Sequence, residues 1–178
     1  AAMMRGADVT LVHGHMETTP PMFVKTLAVN SAADMFEQVS SVAKEQDIII
    51  KAAAVSDYTP VTVAENKIKK SDKDASIPLK RTTDILNWLG DNKKDGQLIC
   101  GFSMETENLL ENSLKKLKKK NCDMICANSL ASEGSGFGCD TNVITIITAK
   151  GNETLGKMTK DEAAHVLSLI HISEPTRL

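Results

Sequence analysis

The chain has 178 residues, 42% hydrophobic and 3% aromatic, with 21 lysines and arginines against 23 aspartates and glutamates. This length suits one domain with one sizeable core. The net charge of -2 gives no overall positive excess to favour nucleic acid or an anionic membrane surface. Because no apolar run approaches the roughly 18 residues of a membrane span, we expect a cytoplasmic domain that binds neither nucleic acid nor membrane.

The cysteines show no pattern of metal binding or disulfide pairing. Cys100, Cys122, Cys126 and Cys139 form no CxxC pair, and no histidine stands at metal-ligand spacing. We predict reduced and mostly buried thiols, and no metal site in the protein itself.

Both ends of the chain depart from the pattern between them. Residues 1–8 are typical of the last turns of a helix that stops at Gly6, so we expect a segment before them. Residues 167–178 (LSLIHISEPTRL) are similar to a translated sequencing adapter. We therefore predict a domain over 1–166 and a non-native tail over 167–178, with a native helix end and a frayed tail as the alternative.

The first half of the chain alternates strand and helix patterns. β-Branched residues predict a strand over 8–13 and an extended piece over 23–29. Ser31 is a good N-cap for a helix that ends at 46–47. Residues 48–55 are almost wholly apolar and predict a buried strand.

The second half continues the same alternation. The predicted elements are a helix from Asp84 to Leu89, a strand over 98–102, a helix over 107–120, strands over 124–127 and 143–148, a turn at 151–152 and a closing helix over 159–166. Together they predict a Rossmann-like α/β domain, an open and mostly parallel sheet with helices on both faces.

Two segments interrupt this alternation. The lysine-rich stretch over 59–76 and the glycine loop over 134–138 are long irregular insertions, which are more often functional lids than filler. We expect the first of them to act as a flap. The glycine loop does not match a dinucleotide-binding or Walker-type phosphate motif.

Candidate ligand contacts follow the strands, because ligands of open α/β sheets lie beyond the carboxyl ends of the strands. Asp57 follows an apolar strand, where it could bind a ligand or a cation, or act as an ordinary turn cap. Lys67 lies in the flap with Ile68 on the opposite side of the backbone, so its amine could reach across a site, with an ordinary solvated basic loop as the alternative. Lys116 and Lys120 share one helix face and could hold one anion, although lysines also suit a helix C-terminus.

Several co-linear segments are similar to the phosphopantothenoylcysteine synthetase family. They are AAAVSDYTPVTVAENKIKK (52–70), TTDIL (82–86), GFSMETENLLENSLKKLKKKNCDMICAN (101–128) and GFGCDTNVITII (136–147). The resemblance covers almost all of residues 1–166. In bacteria this domain is usually the C-terminal half of a bifunctional coenzyme A biosynthesis flavoprotein.

The resemblance implies a ligase that joins L-cysteine to 4'-phosphopantothenate. CTP, expected with Mg²⁺, would activate the carboxylate as an acyl-cytidylate, and FMN would be present only with a fused decarboxylase. The family also implies a homodimer or higher oligomer. The alternatives are a Rossmann-like nucleotide-binding module without ligase activity and a dimerisation scaffold.

The resemblance also assigns roles to matched positions. Lys67 matches the flap lysine that acts in the second half-reaction. The matched nucleotide-contacting positions are Ala53, Asp57, Lys67, Thr82, Thr83, Asp84, Ile85, Phe102, Lys116 and Lys120. TTD stands where the family has N-P-D, so Thr82 and Thr83 differ from the pattern.

One part of the family pattern is absent from the sequence. The first strand, with its glycine-rich turn and the N-S-S-G motif that supports acyl-cytidylate formation, would lie before Ala1. We therefore expect the chain as given to be inactive and its sheet to miss a strand.

Overall fold

The computed structural model describes residues 1–70, 74–105, 108–129 and 140–173. The strands in these ranges are β1 (Thr10–His13), β2 (Lys25–Ala28), β3 (Ile48–Lys51), β4 (Tyr58–Pro60), β5 (Leu79–Arg81), β6 (Leu98–Glu105), β7 (Met124–Ser129), β8 (Thr141–Asn142), β9 (Ile144–Thr148), β10 (Gly151–Thr154) and β11 (Met158–Thr159). The α-helices are α1 (Ala32–Val42), α2 (Ile85–Asp91), α3 (Leu109–Lys119) and α4 (Lys160–Ser173).

The main sheet has the strand order β10-β9-β7-β6-β3 within the described residues. β3 pairs parallel to β6, and β6 pairs parallel to β7. β9 and β10 are added antiparallel to β7 and to each other. The parallel strands are the ones joined through helices, which confirms the predicted mostly parallel α/β sheet.

Helices cover both faces of this sheet, as predicted. Ile99, Ile125 and Ile147 are fully buried in the cluster that includes residues of α1, α2 and α3. Cys100 and Cys126, the next residues along their strands, lie on the opposite face with residues of α4. Successive side chains of a strand point to opposite faces, so one strand contributes to both clusters.

The N-terminal part forms a second, smaller sheet. β1 and β2 pair parallel to each other. Helix α1 follows β2 and begins with a capping box, in which Ser31 Oγ accepts a hydrogen bond from the Asp34 amide and the Asp34 carboxylate accepts one from the Ser31 amide. The predicted N-cap at Ser31 is confirmed. The expected helix end near Gly6 is a short 3-10 turn, Met3–Arg5, with Gly6 at φ 88°.

A cavity of about 720 Å³ separates the two sheets. All four residues of β1 and all four of β3 line it, and the two strands are not paired. On β3, Ile48 and Ile50 keep 42% and 48% of their surface exposed, although they are large apolar residues. Within the described residues, β3 is therefore an edge strand of the main sheet.

Several predicted boundaries are wrong, among them the end of the strand over 124–127, which runs on to Ser129. The strand predicted over 48–55 ends at Lys51, because the chain turns at Ala53. The turn predicted at 151–152 lies two residues earlier, at 149–150, since β10 begins at Gly151 and pairs with β9. The closing helix does not end at 166 but continues to Ser173, and Leu167 is only 7% exposed in the α4 core cluster. The division into 1–166 and 167–178 stays a prediction.

The lysine-rich segment begins and ends in a small antiparallel pair. β4 pairs with β5 through Tyr58 and Arg81 at one end and Pro60 and Leu79 at the other. The described residues between the two strands are exposed. The glycine loop over 134–138, Cys139 and residues 71–73 of the flap lie outside the described residues.

Candidate functional site

The candidate site lies at the carboxyl edge of the parallel strands β3, β6 and β7. β3 ends at Lys51, and its register places Lys51 opposite Gly101 of β6. β6 runs on to Glu105, farther than the predicted end at 102. Ligands of open α/β sheets lie beyond the carboxyl ends of the parallel strands, so the segment that follows β3 and the last residues of β6 are the candidate contacts.

The segment after β3 is a tight turn that places Asp57 at this edge. The Ala53 carbonyl accepts hydrogen bonds from the Val55 amide at 3.1 Å and from Lys51 Nζ at 2.7 Å. Ala53 and Asp57 are both exposed. The turn therefore leaves Ala53 and Asp57, two of the residues matched to the family's nucleotide contacts, accessible to a ligand.

Thr82 ties the end of the flap to this turn. Its hydroxyl donates to the Ser56 carbonyl at 2.5 Å, and its amide donates to the Asp57 carbonyl at 3.0 Å. The threonine that replaces the family's asparagine thus has a structural role here. Thr83, the next residue, is exposed.

Asp84 links helix α2 to helix α3. One carboxylate oxygen accepts from the Asn87 amide at 2.9 Å and caps α2, while the other accepts from Lys120 Nζ. Lys120 Nζ also lies 3.3 Å from the side-chain oxygen of Asn87. The Ile85 side chain, by contrast, is buried in the core with 3% exposure. Ile85 could therefore make its predicted nucleotide contact only through its main chain.

The charge of Asp84 is stabilised by these contacts. Burial opposes its ionisation, but hydrogen bonds from Lys120 and the Asn87 amide, and the charges of Lys120 and Lys51, outweigh burial and lower the pKa of the carboxyl. Asp84 is therefore ionised near neutral pH and holds Lys120 in place.

Lys116 is held at the end of β6 by a second polar network. Its ammonium donates to Ser103 Oγ at 2.9 Å and lies 3.6 Å from a carboxylate oxygen of Glu105. Ser103, only 3% exposed, donates in turn to Glu105 at 2.7 Å. Asn112 of α3 donates to the other oxygen of Glu105 at 3.2 Å.

The two lysines predicted to hold one anion thus lie on one helix but bind different carboxylates. Lys116 belongs to the Glu105 network and Lys120 to Asp84. Their side chains keep 34% and 14% of their surface exposed. An anionic ligand would have to share these ammonium groups with the carboxylates.

Phe102 lies on the other face of the sheet from these lysines. It packs partly buried against the cluster formed with α4. Its neighbour Ser103 points to the face of Lys116, as strand alternation requires. The structure therefore does not bring Phe102 together with the two lysines on one face.

Lys67 is not brought to the edge either. It lies exposed in the flap between β4 and β5, and no hydrogen bond or ion pair joins it to the described site residues. The predicted role of Lys67 therefore requires the flap to approach the sheet.

Lys51 is the charged residue of this edge that the sequence prediction missed. Burial lowers the pKa of its ammonium, with Lys116 acting in the same direction and Asp84 and Asp57 opposing. The available signal was a single lysine that interrupts an apolar run from Ile48 onward. The run predicts one continuous strand over 48–55, in which this lysine does not stand out as a site residue.

The described residues offer no ready-made metal centre. Within the ranges that the structure covers, no three His, Cys, Asp or Glu side chains lie close enough together to hold a metal ion. Asp84 and Glu105 already bind lysines, which leaves Asp57 as an exposed carboxylate at this edge. Mg²⁺ commonly binds through substrate phosphates and one or two carboxylates, so these residues fit an ion that arrives on a nucleotide.

The described cysteines are buried free thiols, as predicted. Cys100, Cys122 and Cys126 are free, while Cys139 lies outside the described residues. Burial raises the pKa of Cys122 to about 11.

None of the helices described is long and apolar enough to cross a bilayer.

Comparison with family models decides the relationship of the chain. Residues 1–173 match the model of the DNA/pantothenate metabolism flavoprotein C-terminal domain. The chain belongs to this family. The family assignment confirms the resemblance seen in the sequence.

Two curated relatives are similar to this chain over most of its length. The Bacillus subtilis (strain 168) coenzyme A biosynthesis bifunctional protein CoaBC is 45% identical over 154 residues, covering 86% of this chain and 38% of the relative. A cysteine/cysteine sulfinic acid decarboxylase from an unknown prokaryotic organism is 42% identical, covering 96% of this chain and 50% of that protein. The chain thus spans half or less of these relatives.

Solved structures share the fold of this flavoprotein C-terminal domain. The crystal structure of the C-terminal domain of CoaBC has a TM-score of 0.77 and 37% identity, covering 97% of this chain and 77% of that one. A mutant of Cab2, solved in complex with phosphopantothenate-cysteine, has a TM-score of 0.61 at 17% identity, covering 84% of this chain and 55% of the other. The second comparison supports the fold alone.

Proposed function

We propose that this domain is the phosphopantothenate–cysteine ligase part of a coenzyme A biosynthesis protein, and that it uses CTP. The observation that carries the proposal is the set of cations at the carboxyl edge, Lys51, Lys116 and Lys120, beside the exposed turn of Ala53 and Asp57. The 45% identity to a CoaBC protein and the shared fold with a CoaBC C-terminal domain support it.

The proposed reaction has two steps. In the first, a carboxylate oxygen of 4'-phosphopantothenate attacks the α-phosphorus of CTP, the bond to pyrophosphate breaks, and an acyl-cytidylate forms. In the second, the amine of L-cysteine attacks the acyl carbon, the bond to CMP breaks, and an amide forms with loss of a proton. Each step places negative charge on a departing phosphate.

Lysines near the leaving phosphates would favour both steps, because fixed cations stabilise charge that develops in the transition state. Lys116 and Lys120 already lie at this edge, and a triphosphate would compete with Glu105 and Asp84 for them. Mg²⁺ bound to the nucleotide would neutralise further phosphate charge. Lys67 would act in the second step after the flap approaches.

The complete protein, of which this domain would be a part, is expected to have several further properties. The family resemblance implies a homodimer or higher oligomer, in which the exposed apolar side chains of the flap, Val63, Ile68 and Ile77, could be covered. A missing first strand of the family would fit the cavity between β1 and β3. FMN would belong to a fused decarboxylase, and the protein would be cytoplasmic.

Substitution of Lys67 tests the proposed second step. In the complete gene product, Lys67→Ala should slow amide formation while the acyl-cytidylate accumulates, because activation of the carboxylate does not need the flap lysine. Rapid quench with labelled CTP and phosphopantothenate, without and with cysteine, measures the intermediate. Lys70→Ala, in the same exposed segment, serves as the control.

The outcomes separate the ligase from a nucleotide-binding module. Accumulation of the acyl-cytidylate in Lys67→Ala, and not in Lys70→Ala, is the result expected of the ligase. A Lys67→Ala variant that only binds CTP more weakly, with no intermediate in any variant, would instead indicate a binding module without ligase activity.

A further inference from the structure

Strand β3 ends at a lysine whose side chain contacts the main chain that follows it. β3 stops at Lys51, although three alanines and a valine follow and could continue an apolar strand. The Lys51 side chain instead folds along the chain, and its ammonium donates to the Ala53 carbonyl at 2.7 Å. The Val55 amide donates to the same carbonyl at 3.1 Å.

This pair of hydrogen bonds shapes the turn that bears the exposed residues of the site. The main-chain bond closes a turn of only three residues, and the Lys51 ammonium is a second donor to the same carbonyl. A charged donor makes a stronger hydrogen bond than a neutral one. Lys51 therefore contributes to the shape of the segment from Ala53 to Asp57.

The surroundings of Lys51 connect this turn to the rest of the edge. The charged groups that act on its ammonium are Asp84, Lys116 and Asp57, which come from the start of α2, from α3 and from the turn itself. Lys51 is partly buried among these elements rather than extended into solvent. It therefore occupies a fixed place between the turn and the lysines of α3.

We propose that Lys51 is a positioning residue for nucleotide binding, which holds the Ala53 carbonyl so that the turn presents Ala53 and Asp57 to the nucleotide. The inference rests on the proposed CTP-dependent function of this site. It deepens that function, since Lys51 acts through the turn and not by contact with the reacting atoms.

The experiment measures kcat and KM for CTP in the complete gene product, with phosphopantothenate and cysteine saturating, and then KM for cysteine, with CTP and phosphopantothenate saturating. Lys51→Met removes the donor but keeps the length of the side chain, and Lys51→Arg keeps a charged donor. Lys44→Met is the matched control, because Lys44 is exposed on the 3-10 turn after α1, at the opposite end of β3. Circular dichroism checks that each variant is folded.

We expect Lys51→Met to raise KM for CTP about tenfold, as expected from the loss of one hydrogen bond to a charged group. The value of kcat should change by less than about threefold, because the group does not act on the transition state alone. Lys51→Arg should restore most of the affinity for CTP, and Lys44→Met should match the unsubstituted protein.

Three results would overturn the role of Lys51. They are an unchanged KM for CTP in a folded Lys51→Met variant, a loss confined to kcat, and an equal rise in KM for cysteine and for CTP. If Lys51→Met does not fold, Lys51→Arg decides, since an unchanged KM supports the role and a tenfold rise contradicts it. Failure of the proposed function itself would be visible separately, as an unsubstituted protein that forms no product with CTP.

Discussion

At the scale of single residues, Asp84 joins two tasks that are usually separate. It caps α2 by accepting a hydrogen bond from the Asn87 amide, and it holds the Lys120 ammonium at the end of α3. Lys120 is 14% exposed, whereas the Asp84 side chain is 54% exposed. The pair therefore fixes a lysine of the site while the carboxylate stays in contact with water.

Removal of this lysine should destabilise the domain. We expect Lys120→Met to lower the free energy of unfolding by about 1 kcal/mol, because a partly buried charged hydrogen bond is lost. Lys115→Met is the control, since Lys115 forms a well-exposed pair with Glu111 on the same helix and should cost about 0.3 kcal/mol. Urea unfolding measures both variants, and an equal loss in the two would contradict the structural role of Lys120.

The charge of Asp84 should also make stability depend on pH. Its pKa lies below the ordinary value of 3.8 in the folded chain, so the ionised carboxylate favours the folded state. This contribution is complete above the ordinary value and is lost as the pH falls through the folded value.

Asp84→Asn isolates this effect, because asparagine is also a good N-cap. The difference in unfolding free energy between the original chain and Asp84→Asn should be largest near neutral pH and should shrink towards acid. Urea unfolding at a series of pH values measures it. A difference that stays constant down to strongly acid pH would show that the carboxylate contributes no stabilising charge.

At the scale of secondary-structure elements, the position of α2 against the end of α3 sets the geometry of the site. Gly90 of α2 meets the backbone at Lys120, where an added Cβ would lie only 1.9 Å from the Lys120 carbonyl oxygen. The Asn121 side chain also donates to the Gly90 carbonyl at 2.9 Å. This close approach lets Lys120 reach Asp84.

A side chain at Gly90 should therefore separate the two helices. We expect Gly90→Ala to cost about 3 kcal/mol of unfolding free energy, because the clash is with main chain that cannot rotate away. Gly156→Ala is the matched control, since nothing lies within 4 Å of its added Cβ and its φ is not positive. Thermal unfolding of both variants tests this, and a Gly90→Ala variant as stable as Gly156→Ala would contradict the packing.

The order of elements could be predicted from the sequence because it depends on local patterns. Apolar runs such as 98–102 and the cap at Ser31 each carry their own signal. The end of β3 could not be predicted in this way. There the Ala53 carbonyl accepts hydrogen bonds from Lys51 and from the Val55 amide in a turn, although the apolar run favours a longer strand.

At the scale of the whole molecule, the site is assembled from segments far apart in the sequence. The turn at 52–57, the start of α2 and the end of α3 meet only because β3 and β6 are neighbours in the sheet. The sequence pattern indicated which residue types follow each strand, and the family resemblance pointed to the same positions.

The sequence alone does not predict which face of the sheet each side chain occupies, or which groups it contacts in the absence of a ligand. Lys116 and Lys120 bind separate carboxylates, and Phe102 packs on the opposite face. These arrangements follow from tertiary packing, which residue spacing does not determine.

The most direct test of the central claim is formation of the amide by the complete gene product, measured with phosphopantothenate, cysteine and either CTP or ATP. The proposed function predicts phosphopantothenoylcysteine in step with release of CMP and pyrophosphate, with CTP strongly preferred over ATP. A complete, folded protein that forms no amide with CTP would contradict it.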